Sequence, residues 1–257
     1  VSQLQFASLG SGSRGNGTLV RGSDNTCLLV DCGFSAREAV RRMARLDVLP
    51  EQLTGILVTH EHADHIAGVE RLANRYQVPV WMTSGTYEAV GKPSLPALQL
   101  ISPHDAFAVR GIRVEPFPVP HDAREPCQYV FTEGDLRLGV LSDAGEVTPH
   151  MRACLSGCDG LLLEFNHCAE LLANGPYPPS LRARVGGRLG HLNNDQAGDL
   201  LARIDRSRLQ HLVATHISEK NNLPERVIAA VARAAPNEVE GLTLAHQDEG
   251  LSWRALT

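Results

Sequence analysis

The segment Thr59-His60-Glu61-His62-Ala63-Asp64-His65 limits the chain more than any other stretch of it. His60, His62, Asp64 and His65 are four candidate metal ligands within six residues, directly after the short apolar run Gly55-Ile56-Leu57-Val58. That run reads as a buried strand. A strand ending in such a loop projects these side chains into the crevice at the carboxyl edge of a sheet, where ligands bind in α/β folds. Neutral imidazole and carboxylate suit Zn(II), and also Mn(II) or Fe(II). The alternative is a solvated, hydrogen-bonded histidine turn, which would need no partners elsewhere in the chain.

Four ligands in one loop cannot all reach one ion with good geometry, so further ligands are expected from other strand ends. His121 follows Phe117-Pro118-Val119-Pro120, Asp143 follows Val140-Leu141-Ser142, and His216 follows Leu212-Val213-Ala214-Thr215. Each is a polar residue just past an apolar run, the local context of His60.

The rest of the chain supports an α/β reading. Leu4–Ala7, Thr18–Val20 and Cys27–Val30 look like strands around a glycine-rich turn, with the alternation starting at Val1 and running to Leu9. Ser35 and Glu38 have capping-box spacing and open a helix. Further helices are expected near 69–76, 84–90, 169–173 and 193–204, and from Pro224; strands are expected at 107–109, 112–114, 129–131, 136–140, 160–163 and 211–214, with closing strands at 242–244 and 251–253. Pro176-Tyr177-Pro178-Pro179 reads as a loop.

At 257 residues the chain suits one large domain or two small ones. With no internal repeat and no low-complexity linker, one domain spanning 1–257 is expected. Hydrophobic residues at 43% and charged residues at 21% exclude wholesale disorder. A net charge of −5 excludes whole-molecule attraction to nucleic acid but leaves room for a local basic groove. The apolar runs fall far short of the roughly 20 residues of a membrane span, so no membrane association is expected. Six cysteines without a C-x-x-C pair, and no export signal at the start, suggest buried thiols in a reducing cytoplasm.

Longer matches name a family. The histidine cluster, Ser142-Asp143-Ala144-Gly145 and Thr215-His216-Ile217-Ser218 resemble the ordered motifs of metallo-beta-lactamase-fold hydrolases. More narrowly, the chain resembles the YycJ (WalJ, VicX) type through five further pieces. These are Gly10-Ser11-Gly12-Ser13-Arg14-Gly15-Asn16, His121-Asp122-Ala123, Glu164-Phe165-Asn166-His167, Gly190-His191-Leu192-Asn193-Asn194 and His216-Ile217-Ser218-Glu219-Lys220-Asn221-Asn222. Ala144 departs from the threonine usual in the family, and Cys168 from the usual aspartate.

The resemblance implies an αββα sandwich of two mixed sheets flanked by helices, with two divalent ions, Zn or Mn with Fe possible, between the sheets. His60, His62 and His121 would hold one ion, Asp64, His65 and His216 the other, and Asp143 would bridge them. Two such ions, two carboxylates and a shared hydroxide leave a charge of about +1, which favours an anionic substrate such as a phosphodiester. Asp64 would act as ligand and orienter, and His191 as an acid toward the leaving oxygen or a donor to phosphate. Asp31 would fix a ligand histidine from behind.

Candidate substrate contacts are Ser11, Ser13, Asn16 and backbone N–H groups of the Ser11–Asn16 turn, with a plain tight turn as the alternative. Asn166 and His167 would line the cleft, support the ligands or be buried polar residues bonded to backbone. Arg182 and Arg184 are candidates in an acid-free stretch, with a solvated face as the alternative. By the resemblance the activity is 5′→3′ DNA exonuclease action, with the shared hydroxide as nucleophile. A small-molecule cyclic phosphodiesterase and a non-catalytic regulatory or scaffold protein are the alternatives, and protein partners are left open.

Overall fold

A computed structural model describes residues 3–257; Val1 and Ser2 of the expected first strand lie outside the described residues. The strands β1 (Leu4–Gly10), β2 (Gly17–Arg21), β3 (Cys27–Val30), β4 (Gly55–Leu57), β5 (Val80–Thr83) and β6 (Leu98–Ile101) form one sheet with the last strand, Leu251–Leu256. The other sheet contains β7 (Phe107–Val109), β8 (Ile112–Pro118), β9 (Cys127–Glu133), β10 (Leu136–Leu141), β11 (Gly160–Glu164), β12 (His211–Thr215) and β13 (Leu242–Leu244). With Leu251–Leu256 as β14, the orders are β14-β1-β2-β3-β4-β5-β6 and β13-β12-β11-β10-β9-β8-β7.

Both sheets are mixed on the same plan. Antiparallel pairing from β14 through β3 gives way to parallel pairing from β3 through β6. The second sheet changes from antiparallel to parallel at β10 in the same way. Parallel strands need crossovers, and the helices supply them.

Around the first sheet these are α1 (Ala36–Ala44), α2 (Ala63–Ile66), α3 (Val69–Tyr76) and α4 (Ser84–Ala89). Around the second they are α5 (Pro149–Leu155), α6 (Ala169–Asn174), α7 (Pro179–Val185), α8 (Asn194–Arg203) and α9 (Pro224–Ala234).

Three apolar layers result. Phe6, Val20 and Leu28 of the first sheet meet Tyr129, Phe131 and Leu162 of the second. Ala39 and Met43 of α1 and Leu72 of α3 cover the outer face of the first sheet, while Met151, Leu200 and Val227 cover that of the second. Helix, sheet, sheet, helix is the αββα sandwich expected from the sequence. Burying a Leu or Phe in these layers contributes about 1.5–3 kcal/mol each, and all three layers share in the driving force.

Local chemistry fixes the helix starts. Ser35 Oγ accepts from Glu38 N at 3.2 Å, but the Glu38 carboxylate turns to Arg41 and Arg42 instead of completing the expected capping box. At α8 the box is complete, with Asn193 and Gln196 exchanging two bonds of 2.9 Å. Strands β5 and β6 and helices α2 and α5 were not expected from the sequence, and α7 begins at Pro179, where a loop was expected. Pro179 suits a first helical position, where no N–H is needed.

Register decides what reaches the shared strand edge. Pairing of β3 with β4 sets Val30 beside Leu57, so Asp31 emerges next to the histidine loop. Pairing of β11 with β12 sets Glu164 beside Thr215, so the Glu164 carboxylate emerges next to His216.

Candidate metal centre

Asp31, Asp143 and His216 each stand one or two residues past a strand and adopt left-handed backbone, with φ of 60°, 51° and 51°. That conformation costs a non-glycine residue about 1–2 kcal/mol and is tolerated best by Asp and Asn. Here it coincides with polar side chains held at the crevice between the sheets.

The imidazoles of His60, His65 and His121 are each anchored through Nδ1, which turns Nε2 toward the other ligand candidates. His60 Nδ1 meets Thr59 Oγ1 at 2.9 Å, while its Nε2 is buried without a hydrogen-bond partner. His121 Nδ1 meets the Gly190 carbonyl at 2.9 Å, and its Nε2 faces His62 Nδ1 at 3.1 Å. His65 Nδ1 meets Asp31 Oδ2 at 2.7 Å, and its Nε2 lies 2.7 Å from Asp143 Oδ2. Asp31 is itself tied down by Thr59, which donates its N–H and its hydroxyl at 2.8 Å each. His216 Nδ1 lies 2.9 Å from Asp143 Oδ1, and Asp64 Oδ2 stands 3.6 Å from His65 Nε2 and 3.7 Å from His216 Nε2.

These contacts are close, yet Asp143 Oδ2, His60 Nε2 and His216 Nδ1 make no well-directed hydrogen bond. Buried polar atoms normally find partners. Lone pairs converging at about 3 Å off the hydrogen-bond direction are what a cation would satisfy, so the donor set fits divalent metal ions. The groups His60/His62/His121, His60/His65/Asp143 and Asp64/His65/His216 each present ligand atoms within 4.8 Å of one another. A fourth group, Asp143/Glu164/His191/His216, overlaps them.

Burial lowers the basicity of His60 and His121 below the usual 6.5. His65 is buried too, but Asp143 and Asp31 outweigh that and hold it well above 6.5. His216 is raised to about 9, burial being overcome by Asp143. Burial opposes ionisation of Asp143, but His216 and His65 hold its carboxyl far below the usual range.

Glu164 was not expected from the sequence as a site residue. It is fully buried and accepts from Ala144 N at 3.1 Å, Leu192 N at 3.0 Å and His191 Nδ1 at 2.8 Å. Despite burial, His191 draws its carboxyl down to about 2. His191, also buried, is held well above 6.5 by Glu164 and Asp143. The available signal was its position at the end of the apolar run Gly160-Leu161-Leu162-Leu163, the context that marked Asp143 and His216.

Glu164→Gln keeps the size but removes the charge facing His191, and is expected to lower turnover about 10–100-fold. Steady-state hydrolysis alongside metal analysis checks this, with metal content expected to hold.

The ligand groups form the floor of a cleft of about 370 Å³. His62, Asp64, Asp143, His191 and His216 line it, together with Tyr177, Leu181, Arg184 and Val185.

Residues 26–217, which include every one of these ligand candidates, match the beta-lactamase superfamily domain. The chain is 36% identical to "Exodeoxyribonuclease YycJ" of Bacillus anthracis over 236 residues, covering 90% of this chain and 88% of that protein. The chain belongs to the YycJ/WalJ family of metallo-beta-lactamase-fold, metal-dependent hydrolases. "Exodeoxyribonuclease WalJ" of Streptococcus pneumoniae is 33% identical over 228 residues, covering 86% and 84%. The fold is shared with the metallo-beta-lactamase-fold protein YhfI of Bacillus subtilis, at a TM-score of 0.77 and 16% identity over 99% and 100% of the two chains.

Against this YycJ/WalJ frame, the structure brings His60, His62, Asp64, His65, His121, Asp143 and His216 together, with His191 beside them and Asp31 behind His65. Several expected substrate contacts are placed differently. Ser11 and Asn16 are buried; Ser11 Oγ accepts from His216 N at 2.8 Å, and Asn16 Nδ2 lies 3.2 Å from His65 Nε2. Backbone N–H groups expected to meet phosphate are spent inside the fold: Ser11 on His246, Gly12 on the Asn16 side chain, Arg14 on the Gln247 side chain, Gly15 on Gly12 and Asn16 on Asp64. The glycine-rich turn therefore braces the centre from behind, and Ser13 alone of its expected contacts lines the cleft.

Asn166 and His167 are also buried; Asn166 Nδ2 donates to the His216 carbonyl at 3.1 Å, and burial pulls His167 down to about 4. Arg184 lines the cleft, bound to Asp122, whereas Arg182 is bonded to the Ala173 carbonyl and lies outside the lining.

The six cysteines are free thiols, four of them buried. No helix among the described residues is long and apolar enough to cross a membrane.

Proposed function

We propose that the chain is a nuclease that hydrolyses phosphodiester bonds of DNA from the 5′ end. His60, His62 and His121 would hold one divalent ion, Asp64, His65 and His216 a second, and Asp143 would serve both. The observation that carries this reading is the convergence of seven ligand candidates, from strand ends of both sheets, at one cleft that also presents His191. The exodeoxyribonuclease names of the YycJ and WalJ relatives support DNA as the substrate.

Bound in these groups, divalent ions would supply a water that ionises near neutral pH and positive charge for the phosphoryl oxygens. The side chains do the rest. Asp31 and Thr59 fix the imidazoles of His65 and His60 in orientation. Glu164 holds His191 Nδ1, so Nε2 is the ring nitrogen available to the cleft. From there His191 donates a proton to the leaving oxygen or a hydrogen bond to the phosphate. Asp64 lines the cleft between His65 and His216 and orients what lies against them.

The test is incubation of Zn(II)- or Mn(II)-loaded protein with 5′-labelled single-stranded and duplex DNA and with bis-p-nitrophenyl phosphate. Mononucleotides released first from the labelled end are expected. Dye release without DNA cleavage would replace this reading with a small-molecule phosphodiesterase, and silence with every metal would leave a non-catalytic scaffold.

A further inference from the structure

The cleft lining is of two unlike kinds. Besides the imidazole and carboxylate groups it includes Tyr177, Leu181, Arg184 and Val185, contributed by α7 and the residue pair before it. Helix α7 buries none of its residues, and Leu181 and Val185 are only half-buried. An amphipathic helix normally turns its apolar stripe onto a core; here that stripe borders the cleft. Tyr177 is fixed between Pro176 and Pro178, whose restricted backbones cost little further ordering. Lys220 Nζ stands 5.7 Å from the centre of the Tyr177 ring, a cation–π distance.

We infer that Tyr177 and the α7 wall receive the nucleobase of the nucleotide whose phosphate lies against the metal-binding residues. The inference rests on the nuclease reading and deepens it. A phosphate alone would need only the polar floor; a nucleotide carries a phosphate and a flat heterocycle, which match a charged floor and an aromatic wall. Stacking of bases on aromatic rings tolerates any sequence, because every base offers a π-face. The volume of about 370 Å³ lies near the lower end of the range for small-ligand sites, about 300–1,000 Å³. That is room of the order one nucleotide needs, so the wall is expected to meet one base at a time.

The test compares wild type, Tyr177→Ala and Tyr177→Phe, loaded with Zn(II) or Mn(II), on a short oligothymidylate and on an oligomer of equal length lacking every base. Tyr177→Ala is expected to raise KM for oligothymidylate about tenfold with kcat within about twofold, while Tyr177→Phe keeps the wild-type KM. On the base-free oligomer all three proteins are expected to share one elevated KM. An unchanged KM of Tyr177→Ala on oligothymidylate, or equal losses on both oligomers, overturns the stacking wall and leaves the nuclease reading standing. Wild type that cleaves duplex DNA but neither oligomer overturns the stacking wall alone, and wild type that cleaves no DNA overturns both.

Discussion

Replacing Asp143 by alanine is expected to empty much of the metal centre and to lower hydrolysis by on the order of 10⁴-fold or more. Its two oxygens face different partners: Oδ2 lies 2.7 Å from His65 Nε2, and Oδ1 lies 2.9 Å from both His216 Nδ1 and His191 Nδ1. It also joins the group that contains His60. Loss of this carboxylate leaves a crowd of imidazoles without the negative charge that would offset bound cations. Asp143→Asn separates charge from shape, since it keeps an oxygen and the size of the side chain. Elemental analysis and turnover on bis-p-nitrophenyl phosphate check both variants; full metal occupancy in Asp143→Ala would remove it from the ligand set. Left-handed backbone at this position suits Asn about as well as Asp, so the Asn variant is expected to fold like wild type.

His191→Ala is expected to lower turnover by about 10²–10⁴-fold while leaving bound metal unchanged. The imidazole is anchored by Glu164 at 2.8 Å and lines the cleft, so its removal takes away a proton donor without removing a residue from the three histidine-rich groups. A substrate whose leaving group needs no proton supplies the control. With an activated p-nitrophenolate ester the variant is expected to recover much of its rate relative to wild type, whereas DNA, with its poor alkoxide leaving group, is expected to show the full loss. Loss of metal together with activity would make His191 a ligand, consistent with its place in the Asp143/Glu164/His216 group.

The metal candidates were legible because each combines a rare residue type with a recurring context, a polar side chain closing an apolar run. Glu164 shares that context but carries a common residue type, and only the β11–β12 register reveals that its carboxylate emerges beside His216. The sandwich was legible through the family motifs, while β5 and β6 were not; β6 is an edge strand with Gln99 and Leu100 exposed, so it carries no buried apolar run to mark it. The glycine-rich turn left two readings open for a different reason. Its composition suits a phosphate cradle, but composition does not show where N–H groups point, and here they are consumed by Asn16, Asp64 and Gln247. In the sequence Tyr177 reads only as part of a proline-rich loop, and its place in the cleft lining depends on tertiary structure that the local sequence does not signal.

The ligand candidates straddle the seam between the sheets. His60, His62, Asp64 and His65 follow β4, while His121, Asp143 and His216 follow β8, β10 and β12. Ions bound there would act as rivets across the two leaves, and their binding energy would add to the adhesion of the leaves themselves. Chelation would then loosen the rim of the sandwich before its greasy middle, making metal supply a control on how tightly the molecule stays shut as well as on whether it can cut.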